Sequence, residues 1–552
     1  MSDESRFWLK YYPEGIPADI DAGRYQSLVE FFADRANEYS GKPAYDHVGT
    51  QISYKNLDQL TQRFSSYLQQ ECELKKGDRV ALMMPNILAY PVAMFGALRA
   101  GAIIVNINPL YTARELQQQL EDSGATVIVV LENFAHALKS VIDDTSVRHV
   151  ITTRVGDLHS FPKSWLINTY TRYISKLKPV EDLRHTNLSH CIHCRKELST
   201  DVEIAPEDIA FLQYTGGTTG ISKGAMLTHR NMVANTLQAC AWLDSALNIE
   251  KLNIISALPL YHIFALTAHC LIVMNLGGCN HLITNPRDIK GFIKTLKKIQ
   301  FHAITGVNTL FNALLNQPEF RWVDFSSLKL TLAGGMAVQR KTASDWQKIT
   351  GNPIVEAYGL TETSPAACAN PPGISEYTGT IGFPVPSTEV SIRDDDDDEL
   401  PLGQEGELWI RGPQVMKGYW NKPEETRQVL TDDGWLKTGD MAIMSNHGTV
   451  RIVDRKKDMI IISGFNVYPN EIEDVLTHHP AIVEAGVIGV SHEQTGEAVK
   501  AVIVTNNKQL TEEDVIAYCR EQLTAYKVPK IIEFRDDLPK TNVGKVLRRE
   551  LR

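Results

Sequence analysis

Apolar, β-rich runs alternate with helical stretches early in the chain. "RVALMMP" (79–85) precedes "NILAYPVAMFGALRAG" (86–101), "AIIVNIN" (102–108) precedes "TARELQQQLEDSG" (112–124), and "ATVIVVL" (125–131) follows. This alternation predicts an α/β architecture on a doubly wound, largely parallel sheet. The character changes after "VRIVDRKKDMIIISG" (450–464). There "PNEIEDVLTHHP" predicts an amphipathic helix and "IVEAGVIGV" and "AVKAVIVT" predict strands. "TEEDVIAYCREQL" predicts a further helix, with Thr511 as N-cap and Glu513 and Asp514 in its first turn. The expected division is a large N-terminal domain over residues 1–454 and a small α+β domain over 455–552. The charged "DRKKD" (454–458), between two β-rich runs, is where a hinge is expected.

One stretch tests this picture. From Leu252 to Pro286 no residue carries a formal charge. A membrane-spanning helix needs ~20 predominantly apolar residues. Pro259, His262, His269 and Asn275 interrupt this run, which predicts a strand, loop and helix buried in a large core. The N-terminal "MSDESRFWLKYYPEG" lacks the basic start and apolar run of a secretory signal.

Composition adds bounds rather than function. The chain has 552 residues, 43% apolar and 22% charged, which suits a globular protein with a sizeable core and more than one domain. A net charge of −10 argues against general nucleic-acid binding, which calls for a basic face. The eight cysteines are mostly scattered singly, as thiols of a reducing compartment are. The cluster "HCIHC" (190–194) has no second cysteine pair nearby and reads as ordinary side chains rather than a zinc site. The acidic "DDDDDE" (394–399) lies between "VSIRD" and "GELWI" and reads as a solvated hairpin loop.

Chemistry first surfaces at "QYTGGTTGISKGAML" (213–227). Glycines allow backbone N–H groups to approach an anion, and the hydroxyls of Thr215, Thr218 and Thr219 can donate to phosphate oxygens. Lys223 supplies a mobile cation. The stretch is not a P-loop, because Ser222 precedes Lys223 and Gly224 follows it. Nor does "GGTTG" give the spacing of a dinucleotide fingerprint.

Further motifs follow in order: "LPLYHIFAL" from Leu258, "LAGGMAV" from Leu332, "EAYGLTET" from Glu356 and "DGWLKTGD" from Asp433. "VDRKKDMIIISGFNVYPNEIE" from Val453 and "LPKTNVGKVLRREL" from Leu538 complete the set. Together these resemble the adenylate-forming enzymes, which include acyl-CoA synthetases, luciferases and peptide-synthetase adenylation domains. The C-terminal motifs are most similar to the bacterial long-chain fatty acyl-CoA synthetases. The resemblance implies a multi-layered N-terminal domain and a mobile C-terminal lid. It implies ATP and coenzyme A as co-substrates, Mg²⁺ as cofactor, and activation of a fatty acid through an acyl-adenylate. Rival readings are a medium-chain or aryl acid–CoA ligase of the same superfamily and an inactive fatty-acid-binding protein. The implied setting is the cytoplasm, with peripheral contact with the inner membrane and a homodimer left open.

The resemblance also assigns residues. The phosphate-binding segment would comprise Tyr214, Thr215, Gly216, Gly217, Thr218, Thr219, Gly220, Ile221, Ser222, Lys223, Gly224 and Ala225. Tyr358 and Gly359 would lie against adenine, with Gly334, Gly335 and Met336 on its other face, where Met336 replaces a commoner alanine. Thr361 would bond the α-phosphate, and Glu362, with Thr215, would hold Mg²⁺. Asp440 and Arg455 would contact the ribose. Lys545 would bridge the carboxylate and α-phosphate, while Arg548 and Arg549 suggest an exposed basic helix beyond it. His262 would be the gate beside the reacting carbonyl, Gly464 would line the coenzyme A tunnel, and Lys457 would be the hinge. Ser463 stands where several relatives carry lysine. Acyl-pocket candidates are "YHIFAL", "AITGVNTLF" and "GTIGFPVP".

Overall fold

The computed structural model describes residues 6–175, 183–193, 198, 202–215, 222–463, 465–492, 494–541 and 544–552. The alternating runs form the predicted strands Arg79–Met83, Ile103–Asn106 and Val127–Leu131, all parallel to their neighbours. Thr112 caps the helix Ala113–Ser123 in a full capping box with Glu115, and Gly124 ends it in the left-handed region at φ 61°. The helix Ala89–Arg99 is buried along its whole length, as suits a helix apolar on all sides.

Two large sheets result. In one, seven described strands run in the order Thr186–Asn187, His149–Thr153, Val127–Leu131, Arg79–Met83, Ile103–Asn106, Ile209–Thr215 and Lys223–Thr228. In the other, nine described strands are centred on the parallel set Cys279–Leu282, Asn253–Ser256, Ala303–Gly306, Leu330–Ala333 and Ile354–Gly359. The uncharged stretch behaves as predicted. It contributes the strands Asn253–Ser256 and Cys279–Leu282 and, between them, a buried π-helix Leu266–Ile272. Among the described residues, no helix is long and apolar enough to cross a membrane.

A four-stranded antiparallel sheet follows, from Glu389–Arg393 to Val450–Arg455. The acidic run is the turn between its first two strands, but it is more than solvated. Asp395 pairs with Lys456 at 2.8 Å and Asp397 with Lys437 at 2.7 Å. The chain leaves this sheet at Arg455, passes through a single 3-10 turn Lys456–Asp458, and enters a new sheet at Ile460–Ile462. That C-terminal unit has its own core, including Ile472, Leu476, Val487, Ala501, Ile503 and Val515. Its helices are Pro469–His478 and Glu512–Gln522, the latter capped by Thr511 in a capping box with Asp514.

Candidate active site

The site collects at the carboxyl ends of the parallel strands, the expected ligand position in open α/β sheets. Strand Leu330–Ala333 ends at Gly334 and Gly335, and strand Ile354–Gly359 delivers Tyr358 and Gly359. Strand Asn253–Ser256 leads to His262, and strand Ile209–Thr215 leads to the glycine/threonine loop. Gly216, Gly217, Thr218, Thr219, Gly220, Ile221 and Gly464 lie outside the described residues, as does Cys194.

The stem of the loop is firmly built. Tyr214 pairs with Gly224 and Thr215 with Lys223 in an antiparallel register. The Gln213 amide donates to the Tyr261 carbonyl at 2.8 Å and accepts from Asn106 at 3.0 Å. The Tyr214 hydroxyl donates to Asp122 at 2.6 Å, and the Ser222 hydroxyl closes the stem on the Thr215 carbonyl at 2.8 Å. A side chain at Gly224 would press on the Tyr214 ring, so glycine serves packing here. Trp420 donates its backbone N–H to the Gly224 carbonyl at 2.8 Å, and Ala225 bridges Tyr419.

That contact brings in a residue absent from the sequence reading. The Tyr419 hydroxyl donates to Glu362 Oε1 at 2.7 Å, and Lys223 Nζ lies 5.2 Å from the Tyr419 ring centroid. Burial and the Glu362 carboxylate push the Tyr419 phenol up, so it remains a donor. Thr361 and Glu362 open a short 3-10 helix directly after Gly359 and Leu360.

Asp440 is the centre of a second cluster. Its Oδ2 accepts from the Tyr358 hydroxyl at 2.6 Å, and its Oδ1 meets Arg455 Nε at 3.1 Å. Strand pairing sets this up, because Asp440 and Arg455 are cross-strand partners. A carboxylate has about four lone-pair sites, so acceptor capacity remains for a further hydroxyl. Gly335 has φ +80° with open space where a side chain would stand, whereas one at Gly334 would meet the Ala357 carbonyl and the Phe264 ring. Glycine at Gly334 therefore serves the protein's own packing, not only an open slot.

Lys545 projects into the same space from the C-terminal unit. Its turn is fixed by Thr541 N–H donating to the Lys545 carbonyl at 2.7 Å and by Gly544 at φ +85°. Burial, then the nearby Arg455 guanidinium, lowers the Lys545 pKa to about 8. Arg548 is not on an exposed basic helix. It lies in a single 3-10 turn, Arg548–Glu550, and is held by four partners. These are Asp454 at 3.0 Å, Glu473 at 2.9 Å, Asp458 at 3.4 Å and the Asn470 amide oxygen at 2.6 Å. A charge read in isolation carries no information about distant carboxylates, and Asp454 lies 94 positions away.

A cavity of about 440 Å³ joins these groups. Its polar end holds Thr215, Lys223, Thr361, Glu362, Arg455 and Lys545. Its other end is apolar, formed by Phe264, Ala268, Ile272, Ala239, Trp242, Leu243 and Val385. His262 stands between, neutral because burial lowers its pKa to about 4. "YHIFAL" thus lines the cavity and "GTIGFPVP" contributes Val385. "AITGVNTLF" instead lines the adjoining cleft of about 1060 Å³ through Asn308 and Thr309, alongside Met336 and Lys457. Ala239, Trp242 and Leu243 come from the helix His229–Leu247, whose near-continuous burial hides any pocket signal.

The chain is similar to known proteins over almost its whole length. A family model described as AMP-binding enzyme matches residues 32–420, and its C-terminal domain model matches 471–545. A long-chain-fatty-acid–CoA ligase of Escherichia coli O6:H1 is 54% identical, with 99% of this chain and 98% of that protein covered. ATP-bound MatB from Rhodopseudomonas palustris superposes with TM-score 0.82 at 28% identity, covering 95% of this chain and 98% of that one. Apo MatB, with the same identity and coverage, gives 0.73. The chain belongs to the AMP-binding, adenylate-forming enzymes, in the branch of the long-chain-fatty-acid–CoA ligases.

Proposed function

We propose that this protein is a long-chain fatty acid–CoA ligase acting in two steps. A fatty carboxylate attacks the α-phosphorus of ATP, pyrophosphate leaves, and the thiol of coenzyme A then displaces AMP from the acyl carbon. The observation carrying this reading is the two-ended cavity, in which a cationic, hydroxyl-bearing end containing Lys545 continues into an apolar end walled by Trp242, Leu243 and Ile272. An amphiphile with one anionic head and a long apolar tail fits that polarity, and each buried methylene brings ~0.8 kcal/mol.

The residues take the following roles. The loop stem and Lys223 hold the β- and γ-phosphates, Tyr358 lies along adenine, and Asp440 with Arg455 receives the ribose. Thr361 bonds the α-phosphate. Lys545 neutralises charge between carboxylate and α-phosphate as phosphorus is attacked; displacement of this kind depends on positioning and charge stabilisation. Mg²⁺ suits the chemistry of the donors. Glu362 is the sole acid among the described residues lining the 440 Å³ cavity, and Mg²⁺ typically takes one or two carboxylates together with substrate phosphates. When bound, it would offset phosphate charge, with Glu362 and Thr215 as its protein ligands. His262, neutral near pH 7, shapes the wall beside the carbonyl and moves no proton.

The unit spanning 455–552 is the moving part, and Gly464 faces coenzyme A in the second step. Two observations support an arrangement suited to adenylation in the present structure. Lys545 already lines the cavity, and the superposition is better on ATP-bound than on apo MatB. The setting is the cytoplasm, with peripheral contact at the inner face of the membrane. The test is pyrophosphate release followed against acid chain length: long saturated acids should support it best, and a preference for aryl acids would favour the rival ligase class.

A further inference from the structure

The helix Lys163–Ser175 is built inside out. Its inner face is polar: the Asn168 amide accepts from Gly156 N–H at 2.8 Å and donates to Asp157 at 3.1 Å. Backbone approach there is close enough that a side chain at Gly156 would strike the Ser164 carbonyl. Its outer face carries Trp165, Leu166, Tyr170 and Tyr173, each more than half exposed. Phe161, just before the helix, and Val48, in the adjacent hairpin turn, extend the patch to six apolar residues, all more than half exposed. The turn is tied on by Lys163, whose ammonium donates to the Val48 carbonyl. Single exposed apolar residues need no explanation, but a contiguous aromatic face does.

We propose that this face docks the protein onto an anionic lipid bilayer. It deepens, and rests on, the reading of peripheral membrane contact given above. Three features select lipid over a protein partner. Indole and phenol rings, apolar with one polar tip, match the headgroup boundary. From Leu158 to Ser175 the charged residues are Lys163 and Arg172, both cationic, in a chain of net charge −10. The two cations favour contact of this face with anionic headgroups, against the net negative charge of the chain as a whole. Finally, a helix of 13 residues is about 20 Å long, too short to span a bilayer and suited to lying in its interface. A long-chain acid dissolved in the membrane would then be taken up where it is most concentrated.

The test is flotation of the full-length protein with vesicles of phosphatidylcholine, alone or mixed with phosphatidylglycerol. Wild type should float with the mixed vesicles and release with added salt. Trp165→Ser combined with Tyr173→Ser should lower partitioning about tenfold or more. Arg172→Glu should weaken it on mixed vesicles only. None of these side chains lines the catalytic cavity, so thioester formation from a water-soluble medium-chain acid should be unchanged in all of them. Equal flotation of wild type and the double variant, or none by wild type, would overturn the proposal. So would a dimer that the double variant dissolves without wild-type vesicle binding, which would assign the face to a second copy of the chain. If wild type formed no thioester, the ligase reading would fall, and the flotation result would still decide the docking.

Discussion

Lys545 sits where burial and the Arg455 guanidinium both disfavour its charge, and its pKa drops from 10.5 to about 8. It must be protonated to offset charge at the α-phosphate. Adenylation kcat/KM, which reports the free enzyme, should therefore be flat below about pH 8 and fall above it. Bound ATP brings negative charge, so the limb in kcat should lie at higher pH. Stability runs the other way. The cost of burying the ammonium is fully present below the folded pKa and is relieved as pH rises toward 10.5. Lys545→Ala should cut acyl-adenylate formation by ~10²–10³-fold while sparing thioester formation from supplied acyl-AMP. A near wild-type adenylation rate would remove Lys545 from its assigned role. Glu362→Gln keeps shape and loses charge; it should raise the magnesium concentration needed for half-maximal adenylation, and an unchanged titration would make the Tyr419–Glu362 contact purely structural.

At the scale of elements, the proposed closure would depend on two small features. Gly544 has positive φ, and a side chain there would collide with the Thr309 hydroxyl across the cleft. Gly544→Ala should slow adenylation and leave thioester formation from acyl-AMP nearly intact; equal loss of both would mean general misfolding. The second feature is the turn Lys456–Asp458. The proposed rotation about it would carry Arg548 away from Asp454 while Glu473 and Asp458 travel with it, so the Arg548–Asp454 pair would break on rotation. Proline fixes φ near −65°, and Lys457→Pro should restrict that rotation. Adenylation should persist while thioester formation falls sharply, as hinges concentrate backbone change in a few residues. Unaltered rates, or parallel loss in a folded variant, would place the hinge elsewhere. The strands and helices themselves were largely legible in the chain. Periodicity gave the sheet-and-helix alternation, and Thr511 announced its helix by capping chemistry. Arg548 and the Asp395–Lys456 pair were not legible, because ion pairs form between distant segments that no local pattern connects.

For the whole molecule, the decisive feature is that one cavity serves two units of the chain, with Lys545 from one and Lys223, Glu362 and the apolar wall from the other. Motif order pointed to Thr215, Lys223, Thr361, Glu362, Arg455 and Lys545 at the polar end but missed Tyr419. The apolar end was half hidden, since Trp242 and Leu243 on a buried helix look like any core side chains until the strand ends and the π-helix Leu266–Ile272 are placed around them. The central claim is that a long acyl chain is first adenylated and then passed to coenzyme A. It is tested most directly by measuring pyrophosphate release and acyl-CoA formation together over a panel of acids. The account predicts equal yields of the two products, largest for long-chain acids. Thioester formation without pyrophosphate, or the largest yields with aryl acids, would contradict it.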